Sequence, residues 1–319
     1  MANKESFRTM IGGQAIIEGI MMRGPDKAAI VVRTPDGLQT KEETLTFLKD
    51  RYPIVGWPLV RGVVNFVSSM RVGMKALTWS AEFFEEEETP TDKEPSKFSA
   101  WLDTKLSSEK AQSILMTVTM ALGIALAVGL FILFPTWLVS LLDPSGMSRT
   151  VQTLLEGLAR LLVLLGYMLL VSRMKEIQRV FSYHGAEHKT IACYEAGEEL
   201  TVDNVRHHSR FHPRCGTSFL LTVVVVSVLV FSVAVPFEGI WLRLGSRLLL
   251  LPVVVAISYE INRYIGKHDH LLSRIVRTPG LWMQKITTHE PDDNMIEVGI
   301  HALSLVIPAR TGADDWDTN

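Results

Sequence analysis

Cysteine is nearly absent. Cys193 and Cys215 are the whole complement of 319 residues, too few for the disulfide framework of a small secreted fold. Both stand close to histidines, which favours metal binding or plain packing in a reducing, cytoplasm-facing environment. Charge is scarce too: 21% of residues are charged against 47% hydrophobic, and mean hydropathy is +0.21, too apolar for an ordinary soluble domain. Neither sign dominates, with 32 Lys and Arg against 34 Asp and Glu, so nothing points to nucleic acid as a partner. The opening MANKESFRTMIGG has no apolar core; no cleaved signal peptide is expected, and insertion falls to internal segments. No repeat stands out.

Long apolar runs are what the chain does have. About 20 mostly apolar residues cross a bilayer as a helix, and four windows approach that: 113–142, 151–171, 217–235 and 248–265. The second carries Glu156 and Arg160, and the fourth ends in Tyr259-Glu260-Ile261-Asn262-Arg263. The connections DPSGMSR and PFEGIWLRLGS hold few cations, whereas the stretch 172–215 and the residues after 264 are rich in Lys and Arg. The positive-inside rule then predicts a mainly α integral membrane protein of about four spans, with both termini and the middle loop in the cytoplasm.

Residues 1–84 read as a small α+β cytoplasmic domain. AAIVVRTPDGLQTKEETL predicts a β-hairpin, its β-branched Ile30, Val31 and Val32 followed by Pro35-Asp36-Gly37 as turn chemistry. The stretch 58–84 has apolar residues every three to four positions, an amphipathic helix that either lies on the membrane or packs on the domain. An acidic linker follows at 85–110, then a membrane domain at 111–265 and a cytoplasmic segment at 266–319 whose last residues, 310–319, read as disordered. Glu290-Pro291-Asp292-Asp293 precedes a helical pattern, and capping is the favoured role for those acids.

Five of the nine histidines and both cysteines fall between residues 184 and 215, in the loop 173–216 between spans two and three. His184 and His188 are four apart, so a helix stacks their imidazoles on one face, with Glu187 near it. The string HGAEH also fits H-x-x-E-H, in which two histidines bind zinc and the glutamate is the general base. Downstream, HHSRFHPRCGTS separates His212 from Cys215 by two residues, and Pro213 and Gly216 supply a turn that brings both to one ion. His184, His188, His212 and Cys215 thus form a candidate ligand set suited to zinc or iron. Cys193, His207 and His208 are spare candidates. Glu187 is the candidate base, or a ligand itself. Four protein ligands make a closed, structural site, whereas three and a water make a catalytic one.

Elsewhere, IGGQAIIEGIMMRGP offers Glu18 and Arg23, which reach a site or pair with each other. Glu260, Asn262 and Arg263 are functional candidates because they end a span, either beside the site or snorkelling to headgroups. The motifs GGQAIIEGIMMRGP, YHGAEHKTIACYE, FHPRCGTSF and TTHEPDDNMIEV, in that order, resemble the YqhQ-like family of bacterial polytopic membrane proteins, described as predicted metal-dependent enzymes. The resemblance implies a bacterial cytoplasmic-membrane protein and places His184, Glu187, His188, His212 and Cys215 at the family's metal motif. Two functions stay open: a metal-dependent hydrolase acting on lipid or membrane-protein substrates at the bilayer, and a non-enzymatic assembly or insertion factor whose metal only holds the loop. A transporter is disfavoured by spans with few charges and no repeat.

Overall fold

The computed structural model describes residues 7–45, 51–84, 109–142, 146–233, 240–310 and 312–316. Strands β1 (Gly12–Ile16), β2 (Gly19–Arg23), β3 (Lys27–Thr34) and β4 (Gly37–Thr44) form an antiparallel four-stranded meander. The expected hairpin is β3–β4, closed by Thr34 opposite Gly37. The hairpin β1–β2 beside it is additional to that expectation. It turns through Ile17 and Glu18, and Glu18 holds the left-handed φ of 49° that a tight turn demands.

Helices follow in order: α1 (Val60–Ala81), α2 (Glu109–Val128), α3 (Phe134–Leu141), α4 (Arg149–Val171), α5 (Lys175–Glu195), α6 (Val202–His207), α7 (Thr217–Val233), α8 (Ile240–Lys267), α9 (Leu271–Thr287) and α10 (Asp293–Val306). The sheet is covered on both faces. Ile20, Met22, Ala29 and Val31 pack on Tyr183 and Ala186 of α5 and on Met295 and Leu303 of α10. Ile16, Met21, Ile30 and Val32 pack on Ala76 and Trp79 of α1. Double coverage explains why β3 reads as an unbroken apolar run instead of an alternating one.

Helix α1 therefore takes the packed alternative: besides the sheet it meets α8, where Gly62 approaches Ala256 and Tyr259 and Arg61 grips Glu260 at 2.5 Å. Its remaining face leaves Val67, Met70 and Met74 exposed. The expected linker 85–110 lies outside the described residues as far as 108.

Three helical stretches are long and apolar enough to cross a membrane: Thr117–Leu141, Thr150–Val171 and Trp241–Lys267. The first joins α2 to α3 through a widened turn, Gly129–Leu133, just before Pro135, which has no N–H to give a regular helix. The fourth expected span, α7, is an apolar helix of 17 residues within the described segment, which stops at Val233. Helix α8 corrects another expectation: it begins at Ile240, so most of the expected loop PFEGIWLRLGS is helical. Arg243 and Arg247 belong inside because Glu156 of α4 receives them, Arg247 at 3.0 Å and Arg243 at 4.0 Å. The loop expected at 173–216 is likewise mostly α5 and α6.

The polar tail is a further correction. Thr9 bridges Asp315, and the Thr9 hydroxyl donates to Asp314 at 2.6 Å, as does the Tyr194 hydroxyl at 3.1 Å. These bonds bury Asp314 to 1% exposure, so residues 312–316 are an ordered part of the fold.

Candidate metal centre

Helix α5 carries HGAEH against the turn into α10, and Gly185 makes that contact possible: a Cβ there would stand 2.0 Å from the His289 carbonyl oxygen. With α5 seated, His184 Nδ1 donates to the Thr287 carbonyl at 2.8 Å and His188 Nδ1 donates to the Arg210 carbonyl at 2.7 Å. A carbonyl only accepts, so each neutral ring carries its hydrogen on Nδ1 and keeps an Nε2 lone pair. Carbonyl-fixed tautomers of this kind are how metal-binding imidazoles are oriented.

Cys215 completes the group. Its Sγ lies 3.2 Å from His184 Nε2, with the Thr217 N–H donating to it at 3.4 Å. One ligand atom each from His184, His188 and Cys215 falls within 4.8 Å of the others.

His212 is close but engaged elsewhere. Its ring centroid is 5.5 Å from that of His188, while its Nε2 accepts from Arg214 at 3.3 Å and faces Glu195 at 3.6 Å. Gln284 of α9 holds its backbone at both ends, accepting from the His212 N–H at 2.8 Å and donating to its carbonyl at 2.9 Å. Burial pushes the His212 pKa down to about 4, against the pull of the nearby Glu195 carboxylate.

Glu187 is buried beside the group. One carboxylate oxygen accepts the Gly13 N–H at 3.1 Å, and the other, Oε2, has no hydrogen-bond partner among the described residues. Gly13 is needed for this approach, since a Cβ would stand 2.9 Å from the Glu187 carboxyl carbon. Desolvation holds this carboxyl above the ordinary carboxylate range, outweighing the opposing effects of His184 and the Gly13 amide. A buried oxygen left without a partner asks for a water, a proton or a cation.

A cavity of about 350 Å³ opens onto these groups, lined by Glu187, His188 and Cys215 from one side and by Gly12, Gly13 and Arg23 of the sheet from the other. Sequence reasoning missed the sheet as a wall; the paired glycines of IGGQ were the available signal. Two imidazoles with Nδ1 held by carbonyls and a cysteine sulfur, with an orphaned carboxylate beside them, form a donor set that fits a borderline divalent ion such as zinc.

The remaining polar candidates have separate roles. Glu18 pairs with Arg179 and accepts from the Tyr183 hydroxyl, not from Arg23. Asp292 caps α10 by accepting the Met295 N–H at 2.9 Å, Asp293 pairs with Arg206, and Glu290 with Lys189. Cys193, Glu198 and His208 make a second three-atom group, but His208 pairs with Glu198 at 3.1 Å and burial pushes the Cys193 thiol up to about 11. His207 is exposed. Asn262 donates to the Ser258 carbonyl.

Residues 57–309 match the family described as Protein of unknown function (DUF1385). The Bacillus subtilis (strain 168) protein named Uncharacterized protein YqhQ is 35% identical over 317 residues, covering 96% of this chain and 94% of that protein. No solved structure matches the chain.

Proposed function

The chain belongs to the DUF1385 family, and we propose that it is a metal-dependent hydrolase working at the cytoplasmic-membrane surface. One observation carries this reading: His184, His188 and Cys215 converge with both Nδ1 hydrogens already committed to carbonyls, leaving two Nε2 lone pairs and a sulfur at one point. Zinc suits that set best and iron next. A divalent ion there supplies Lewis acidity and brings the pKa of a water toward neutrality.

Glu187 is the base. Its free Oε2 takes the proton of the attacking water, the water oxygen bonds to the electrophilic centre, and the proton passes to the leaving group as the scissile bond breaks. Three protein ligands would leave a coordination position for water, as catalytic centres require. Four helices crossing the bilayer, α7 among them, would leave the centre on the side of the Lys- and Arg-rich segments, where lipid and membrane-protein substrates emerge.

The proximity of His212 favours a second reading. If its ring moved onto the group, four protein ligands would close the site, as suits an assembly or insertion factor with a structural metal. Elemental mass spectrometry of protein purified in detergent without chelators tests the main reading. About one zinc or iron per chain is expected, lost in His188→Ala and in Cys215→Ala; wild-type protein without metal would refute it. X-ray absorption separates the two readings, since imidazole multiple scattering from two histidines with one further non-imidazole light atom supports the hydrolase, and scattering from three histidines supports the closed site.

A further inference from the structure

Most arginines around the centre are spoken for: Arg214 by Glu195, Arg61 by Glu260 and Arg277 by Asp269. Two are not. Arg23 of β2 donates to the Ser69 hydroxyl at 3.3 Å, and neither it nor Arg263 of α8 enters an ion pair among the described residues. Glu260, within electrostatic range of Arg263, is already gripped by Arg61. Both arginines are half-buried, where a cation without a counter-charge of its own is disfavoured; burial accordingly pulls the Arg23 pKa down, against the opposing effect of Tyr259.

These cations line adjoining cavities. Arg23 faces the one over the metal centre, about 350 Å³, and Arg263 one of about 400 Å³, with Ser69, Arg214, Cys215 and Trp316 lining both. Glu187 is the sole carboxylate among the described residues of the two linings, so the joined space is cationic. Its second half is apolar on one side, bounded by Phe219 of α7, Ile265 of α8 and Val276 of α9. Helix α9 beyond it exposes Leu271, Leu272, Ile275 and Trp282, at 74%, 63%, 58% and 65%. An amphipathic helix with such a face suits the headgroup boundary of a bilayer.

We infer that the joined cavities bind an amphiphile with a phosphate-type head, the head held between Arg23 and Arg263 beside Cys215 and the chain running past Phe219, Ile265 and Val276 toward lipid. Guanidinium groups match phosphate oxygens in fork geometry, and the apolar wall gives the chain a route that a soluble phosphoester does not need. The inference rests on the hydrolase reading for the fate of this ligand, not for its binding.

Calorimetric titration of the full-length protein in detergent tests it with three probes: dihexanoyl phosphatidic acid, sn-glycerol 3-phosphate (head alone) and dihexanoylglycerol (chains alone). Wild type is expected to bind phosphatidic acid about tenfold tighter than either fragment, and Arg23→Gln and Arg263→Gln each to weaken it roughly tenfold. Arg23→Lys, which keeps the charge, should recover part of the loss. Equal affinity for glycerol phosphate would make this a site for soluble phosphoesters and overturn the inference. Equal affinity for dihexanoylglycerol, or unchanged binding in a folded Arg23→Gln/Arg263→Gln double variant, would overturn it too. The same titration in His188→Ala keeps the two readings apart. Phosphatidic acid binding that persists without metal supports the anion site on its own, and a metal-loaded wild type indifferent to phosphatidic acid sinks the inference while leaving the hydrolase standing.

Discussion

Gly185 and His289 touch through backbone: a Cβ on the glycine would lie 2.0 Å from the His289 oxygen and 3.4 Å from the ring of Pro291. The glycine of HGAEH is thus a packing requirement between α5 and the turn into α10, separate from the chemistry of the histidines beside it.

Gly185→Ala must push a carbonyl aside and is expected to destabilise the protein by about 1–3 kcal/mol. Gly166→Ala on α4 is the control, since its Cβ meets nothing within 4 Å and alanine is the better helix former by up to about 1 kcal/mol. Thermal unfolding in detergent should rank Gly185→Ala below wild type and Gly166→Ala at or above it. The reverse order would show that α5 is seated differently.

His212→Ala tests whether three ligands suffice. With His184, His188 and Cys215 as the centre, this variant retains about one metal per chain in elemental analysis, whereas a four-ligand centre loses most of it. Gln284 is the companion site. Gln284→Ala frees the backbone on both sides of His212 and should lower stability without removing metal.

The burial of His212 makes metal-stripped protein acid-sensitive. Its folded pKa is about 4 and an unfolded histidine titrates near 6.5, so below pH 6.5 the unfolded chain takes up a proton that the folded one refuses. Stability should decline as pH falls from 6.5 to 4, by about 3 kcal/mol in total, and level off below. Urea midpoints of stripped wild type and His212→Gln check this. A decline of the same size in His212→Gln would assign it to other groups.

Glu156 is the hub of the apolar helices. It is 1% exposed, 3.4 Å from Arg160 and 3.0 Å from Arg247, and both guanidinium groups lie over the Phe231 ring. Glu156→Ala strands two buried arginines and should destabilise by about 3–5 kcal/mol. Arg243→Gln removes a partly exposed partner 4.0 Å away and should shift stability by less than about 1 kcal/mol. Equal losses in the two variants would mean that the carboxylate does not organise the cluster.

Sequence made some of this legible and hid the rest for identifiable reasons. The β3–β4 hairpin shows in a β-branched run ended by Pro-Asp-Gly, while β1–β2 turns through Ile17 and Glu18, which carry no turn signature. His184 and His188 are read together because their spacing is local. The placing of His212 depends on Gln284, 72 positions away, which spacing cannot reveal. Arg243 looks like a loop residue until Glu156, far upstream on α4, is known to face it. The tail from 310 is polar enough to read as disordered, yet Asp314 is held by Thr9, 305 positions upstream.

That last contact constrains topology by counting alone. Residues 9 and 314 meet in one polar body, so the path between them begins and ends on the same side of any sheet of lipid it traverses. Such a path pierces the sheet an even number of times. The excursion from α1 to α5 contributes the apolar stretches at 117–141 and 150–171, and the one from Cys215 to α9 contributes α7 and α8. Parity therefore ties the two helices of the second excursion together: if the 27 residues of Trp241–Lys267 traverse a bilayer, α7 must traverse it as well.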